Sequence, residues 1–175
     1  IFNDIARLVD ATNTTLLVSD YSLALSSNGY IGGIQMTLSH AEEFEIELTD
    51  NSLISDYSTK DNITTLVIIE PSHNLIFTTT NTYEIVDVMI VNSQKEIEVN
   101  LSSDFSLGHA YPNPFNPTTT ISLTVPITSN VSVKVYNLMG QVVDVLSSGI
   151  LEPNIYSFTW DASNISSGVY IIKAE

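Results

Sequence analysis

Three histidines, His40, His73 and His109, are the residues of this 175-residue chain best suited to proton transfer or metal binding. They stand far apart, each beside loop-like residues, and no H-x-x-H or H-E-x-x-H spacing joins them. Neither a metal site nor a catalytic triad is expected from them. Cysteine is absent, which removes disulfides, thiolate ligands and thiol nucleophiles together. Serine is abundant, yet none sits in a G-x-S-x-G elbow, and there is no glycine-rich phosphate loop. Glu42, Glu43, Glu45 and Glu47 lie close enough in sequence to suggest paired catalytic carboxylates. Strand alternation instead puts Glu45 and Glu47 together on a solvated face, where acids protect a sheet edge. Asp50, Asn51 and Asp56 are candidate ligands of a weak surface calcium site. No other cofactor is expected, and the chemistry points to a non-enzymatic protein.

The elements that would position these residues are strands. Phe44-Glu45-Ile46-Glu47-Leu48 alternates apolar and acidic residues, Lys95-Glu96-Ile97-Glu98-Val99 repeats the scheme, and Val131-Ser132-Val133-Lys134-Val135 does so again. Residues 66–69 and 85–91 are apolar enough to read as strands buried on both faces. Further strands are expected near residues 15–19, 22–26, 33–39, 53–57, 75–79, 120–125, 142–146, 155–160 and 169–173. Turn residues separate them, as at Ser27-Asn28-Gly29 and Ser166-Ser167-Gly168. Many short strands at this spacing predict an all-β fold of sandwiches rather than a parallel α/β sheet. Ile1, Ile5, Leu8 and Val9 fall at helical spacing, so residues 4–11 form either a short helix or a terminal arm.

Charge bounds the partners. Twenty acids against five bases give a formal net charge of −15, a surface that repels phosphate backbones and anionic membranes. No apolar run approaches the roughly 18–20 residues that span a bilayer. With 43% apolar residues and 14% charged, the chain holds enough hydrophobic material to fold. The acidity is uneven: residues 1–103 carry a net −12 and residues 104–175 a net −3. Five of the six prolines also lie beyond residue 108. An arm at 1–13, an acidic sandwich at 14–103 and a second domain at 104–175 are therefore expected. Five N-x-S/T sequons, at Asn13, Asn62, Asn100, Asn130 and Asn164, permit surface glycosylation without predicting it. The first residue is Ile1 and no signal peptide precedes it, so a mature or partial chain is expected.

The most informative segment is Tyr111-Pro112-Asn113-Pro114-Phe115-Asn116-Pro117. Its prolines fix φ and remove amide donors, and each preceding residue is pushed toward extended backbone. Such a segment is a stiff lead into the strand at 120–125, with Tyr111 and Phe115 free to anchor it. A Pro-rich linker or a ligand for an SH3-like groove is the alternative. Together with VSVKVYNLMGQVVDVL and the YSFTWDASNISSGVYIIKA ending, this opening resembles the C-terminal sorting domain of the bacterial type IX secretion system over residues 109–174. The resemblance rests on Tyr111 through Pro117, Trp160, Asp161, Gly168, Val169 and Tyr170. It implies a seven-stranded immunoglobulin-like sandwich recognised by outer-membrane secretion machinery, on a protein released outside the cell or attached to its surface. Members of that family continue beyond the GVY strand into one more strand. This sequence stops at Glu175, so the expectation is either a further tail beyond it or an open edge able to accept a neighbour's strand.

Residues 14–101 loosely resemble cohesin-like sandwich modules, through YSLALSSNGYIGGIQMTLS. Asn3-Asp4-Ile5-Ala6-Arg7-Leu8-Val9 is similar to the closing helix of a dockerin calcium repeat without its preceding ligands. Two functions are expected. One is an exported structural protein assembling into a filament or surface layer through strand donation. The other is a carbohydrate- or protein-binding accessory module of a larger secreted enzyme, for which Tyr21, Tyr30, Tyr57 and Tyr83 are candidate platform aromatics.

Overall fold

A computed structural model describes residues 9–49 and 52–175 of the chain, and among them it shows fifteen strands and no helix. The all-β class expected from the alternation is the class observed. The chain divides into two compact units, Ile1–Ser103 and Asp104–Glu175.

Unit 1 contains β1 (Asn13–Val18), β2 (Ser22–Ser27), β3 (Gly33–His40), β4 (Ile46–Leu48), β5 (Ile54–Lys60), β6 (Ile63–Ile69), β7 (Leu75–Thr79), β8 (Tyr83–Val91) and β9 (Glu98–Ser102). They form a five-stranded sheet in the order β4-β7-β2-β1-β9 and a four-stranded sheet in the order β5-β6-β3-β8. Neighbours are antiparallel except β1 and β9, which run parallel. One core joins the two sheets: Leu16, Leu23 and Phe77 meet Ile34, Met36, Leu38, Leu66, Ile68 and Ile90. Each such side chain taken out of water contributes about 1.5–3 kcal/mol. Period two explains the choice of face, since in β6 Thr64, Leu66 and Ile68 point in while Ile63, Thr65 and Val67 point out. Ahead of β1, residues 9–11 cross the backbone at Gly29, where a Cβ would lie 2.8 Å from the Ala11 nitrogen. Tyr30 N–H donates to the Val9 carbonyl and Ala11 N–H to the Tyr30 carbonyl.

Two sequence expectations change here. Residues 66–69 and 85–91 are not buried on both faces, because Val67, Val86 and Met89 are exposed. The four-stranded sheet has one covered face and one open face, and the open one is partly apolar. The helix expected over residues 4–11 lies mostly outside the described residues, and residues 9–11 are extended.

Unit 2 contains β10 (Ser106–Leu107), β11 (Thr118–Val125), β12 (Ser129–Tyr136), β13 (Val142–Leu151), β14 (Asn154–Asp161) and β15 (Ile171–Ala174). One sheet has the order β10-β11-β14 and the other β13-β12-β15. Leu123, Val125, Val131 and Val133 are buried between them, with Tyr156, Phe158, Leu146 and Ile172 packed around. The β12–β13 hairpin closes on Gly140, whose φ of 76° suits glycine. Gly140 N–H donates to the Asn137 carbonyl there. Leu146 and Val143 sit at register shifts of β13 and turn into the core. The described residues give six strands, where the resemblance implies seven, and β15 begins at Ile171 rather than 169.

Candidate functional site

The residues suited to catalysis do not converge. His40, at the end of β3, is locked by its neighbours: Nδ1 lies 2.8 Å from the Ala41 carbonyl oxygen and Nε2 lies 2.8 Å from Thr64 Oγ1. A carbonyl only accepts, so Nδ1 carries a proton. Thr64 is fully buried and also meets Thr59 Oγ1, and the imidazole stacks on Phe44 at 3.8 Å. A hydroxyl shut away from solvent cannot attack a substrate, so this imidazole–threonine chain ties β3, β5 and β6 together. His73 and His109 stand in exposed loops. Glu42, Glu43, Glu45 and Glu47 are exposed. Of the calcium candidates, Asp50 and Asn51 lie outside the described residues, and Asp56 accepts the Tyr57 N–H. Among the described residues, no group of three acids or histidines is placed to hold a metal. The four candidate tyrosines are also dispersed. Tyr21 is in the β1–β2 turn, Tyr57 is on an edge strand, Tyr30 donates to Glu70, and Tyr83 packs on Phe77 while donating to the Ser22 carbonyl.

The residues brought together are those of the proline motif. Tyr111 pairs with Thr120 by two backbone hydrogen bonds of 2.9 Å, which sets the motif alongside the start of β11. Its ring is 81% exposed and anchors nothing. Thr119, buried at that start, donates to the Pro112 carbonyl. The Tyr111-Pro112, Asn113-Pro114 and Asn116-Pro117 peptide bonds are cis. Pro117 accepts the Ala162 N–H, fastening the far end of the motif to the chain after β14.

Phe115 turns inward onto Trp160, ring centroids 5.3 Å apart, and Tyr170 meets the other side of the indole at 5.1 Å, nearly edge-on. The indole is 1% exposed and packs with Ile121 and Val135. Its Nε1 is buried without a partner. Tyr170 in turn donates to the Ser166 carbonyl, which shapes the loop between β14 and β15. Asp161 accepts the Ser163 hydroxyl and N–H, and these bonds hold its carboxyl below the usual carboxylate range. Gly168 and Val169 are exposed on that loop. Clefts of about 350 and 460 Å³ flank it, one walled by Phe115 and Pro117, the other by Leu138 and Met139. The arrangement is an aromatic clamp beneath a loop flanked by two clefts.

Sequence reasoning singled out the motif and Trp160 but missed Thr119 and Ile165. Thr119 was legible, since period two from Ile121, Leu123 and Val125 puts it on the buried face. Ile165 carries no local signal, because a loop fold brings it to the indole.

Comparison with known proteins agrees with this geometry. Residues 109–175 match the family described as the secretion system C-terminal sorting domain. No curated protein matches the chain, and neither the cohesin-like nor the dockerin-like likeness finds support. The matched residues contain the whole clamp of Phe115, Trp160 and Tyr170; residues 109–175 are a type IX secretion sorting domain, and the protein bearing them is sent outside the cell or held at its outer surface.

Proposed function

We propose that the chain is a non-enzymatic surface protein in which unit 1 does the work and unit 2 is read by the export machinery. The observation that supports this is the open face of the four-stranded sheet. Ile54, Val67 and Met89 are 56%, 39% and 40% exposed, and cross-strand register gathers Val67 and Met89 on either side of Gln35. An exposed face that interleaves apolar and polar side chains on an exported sandwich suits docking of another protein surface rather than chemistry. On this reading the protein assembles with its own kind into a filament or layer. The outer edge of β15, whose described partner is β12 alone, is a place where a donated strand could add.

Two measurements test the reading. Protease shaving of intact cells should remove the full chain, while a chain lacking residues 104–175 should stay in the periplasm. Normal surface delivery of the truncated chain would contradict the division of labour. Electron microscopy of native material should show fibres or layers, and a dispersed monomer at high concentration would contradict assembly.

A further inference from the structure

Residues 104–175 contain two cations, Lys134 and Lys173, and the fold sets them side by side. They are directly opposed on β12 and β15, on the face of that sheet turned away from Val131, Val133 and Val135. Like charges placed opposite one another cost stability, and here Glu175 offsets the cost by pairing with Lys173 and lying near Lys134. Apolar residues frame them. Val145 is opposite Lys134, while Val142 and Ile171 are both opposite Tyr136. Val142 and Val145 are each 49% exposed and Ile171 is 54% exposed. The result is an apolar face with a cationic centre, in a chain with a net charge of −15.

The open face of the four-stranded sheet is its complement. One row reads Asp56, Val67, Gln35, Met89, and the next Ser58, Thr65, Thr37, Asp87. The last row holds Lys60, Ile63, Ser39 and Glu84, so three acids and one cation share the face. We propose that the Lys134–Lys173 face of one copy docks on the Asp56–Asp87 face of another copy, head to tail. This rests on the assembly reading above and names the surfaces that assembly would use. A heterologous contact leaves one face of each copy free to take the next, so copies add in series into an open array or a closed ring. With strands about 4.8 Å apart, β12 and β13 running some 25 Å and the four-residue β15 about 13 Å, the face offers roughly 300 Å² per partner, well below the ~800 Å² of a standard interface. Each contact is weak, so association is expected only where the chain is concentrated.

The test uses the full 175-residue chain in sedimentation velocity from about 10 μM to about 1 mM, in low salt and in about 0.5 M salt. The wild type should associate with concentration, at least about tenfold less well in high salt. Lys134→Glu/Lys173→Glu and Asp56→Lys/Asp87→Lys should each lose association by about tenfold or more. The chain carrying all four changes should regain it, because both faces are then reversed together. Trp160 fluorescence and far-UV circular dichroism check that each variant is folded, and Lys134→Gln/Lys173→Gln serves if the double glutamate unfolds unit 2. Association that survives both pairs of changes, or is not restored in the fourfold chain, overturns the pairing of these faces while leaving assembly standing. A wild type that stays monomeric throughout removes both the pairing and the assembly reading.

Discussion

Removing the Phe115 ring tests whether the proline motif is an anchored part of unit 2 or a linker. Complete burial of a phenylalanine is worth about 3–5 kcal/mol on truncation to alanine. Phe115 is half-buried, so about half of that applies, and losing its contact with Trp160 adds about 0.5–1.5 kcal/mol. Phe115→Ala should therefore cost about 2–4 kcal/mol, a large share of the roughly 4–11 kcal/mol expected for a unit of this size. At about 4–8 °C per kcal/mol, the unit should melt roughly 8–32 °C lower. The chain has one tryptophan, and it is the residue Phe115 covers, so its fluorescence reports unit 2 alone. Emission should shift to the red in the folded variant as water reaches the indole. Phe115→Leu, which keeps most of the volume, should cost less than about 1.5 kcal/mol. Amide exchange in β3 and β6 should be unchanged. A fluorescence-detected melting point within about 2 °C of wild type, with unchanged emission, would refute the clamp and return residues 111–117 to the linker reading.

Two further predictions concern pH. The Asp161 carboxyl ionises below its unfolded value because of the Ser163 hydroxyl and then the Ser163 N–H. Its contribution to unit 2 is thus present above about pH 4 and lost as pH falls through the folded value. Asp161→Asn should flatten the acid limb of Trp160-detected stability, and limbs that stay parallel would sink the assignment. In unit 1, burial first, and then the Asp20 charge, push Tyr83 ionisation far above the usual phenol range. That contribution is complete below about pH 10 and lost as pH rises beyond it. Tyr83→Phe, which deletes the 2.8 Å bond to the Ser22 carbonyl, should cost about 0.5–1.5 kcal/mol at neutral pH. The gap from wild type in denaturant titrations of unit 1 should narrow above about pH 10, and a constant gap would contradict it.

Alternation made much of the fold legible. Val131, Val133 and Val135 point inward as their spacing requires, and so do Tyr156, Phe158 and Trp160. It misread Val67, Val86 and Met89, because a run apolar at every position looks the same whether its second face is covered by protein or left open. Those residues then became the most informative surface of unit 1. The stiffness of the proline motif was legible from its own composition, but the seat of Phe115 was not. Residues far along the chain provide that seat, and the pairing of β11 with β14 brings them there. The opposed lysines were hidden for the same reason, since a strand register across two intervening strands creates the pair.

The charge distribution has a logic once both faces are considered together. Two apolar faces on one exported chain invite three contacts between copies: unit 1 with unit 1, unit 2 with unit 2, and one with the other. Asp56, Asp87 and Glu84 set acid against acid in the first, and Lys134 with Lys173 sets cation against cation in the second. Like-charge juxtaposition disfavours both while the mixed contact is attractive, so specificity comes from repulsion as much as from attraction. Reversing the lysines to glutamate should thus cost more head-to-tail association than neutralising them to glutamine, because only reversal sets acid against acid in the mixed contact. That outcome separates charge used for selection from charge used only for solubility.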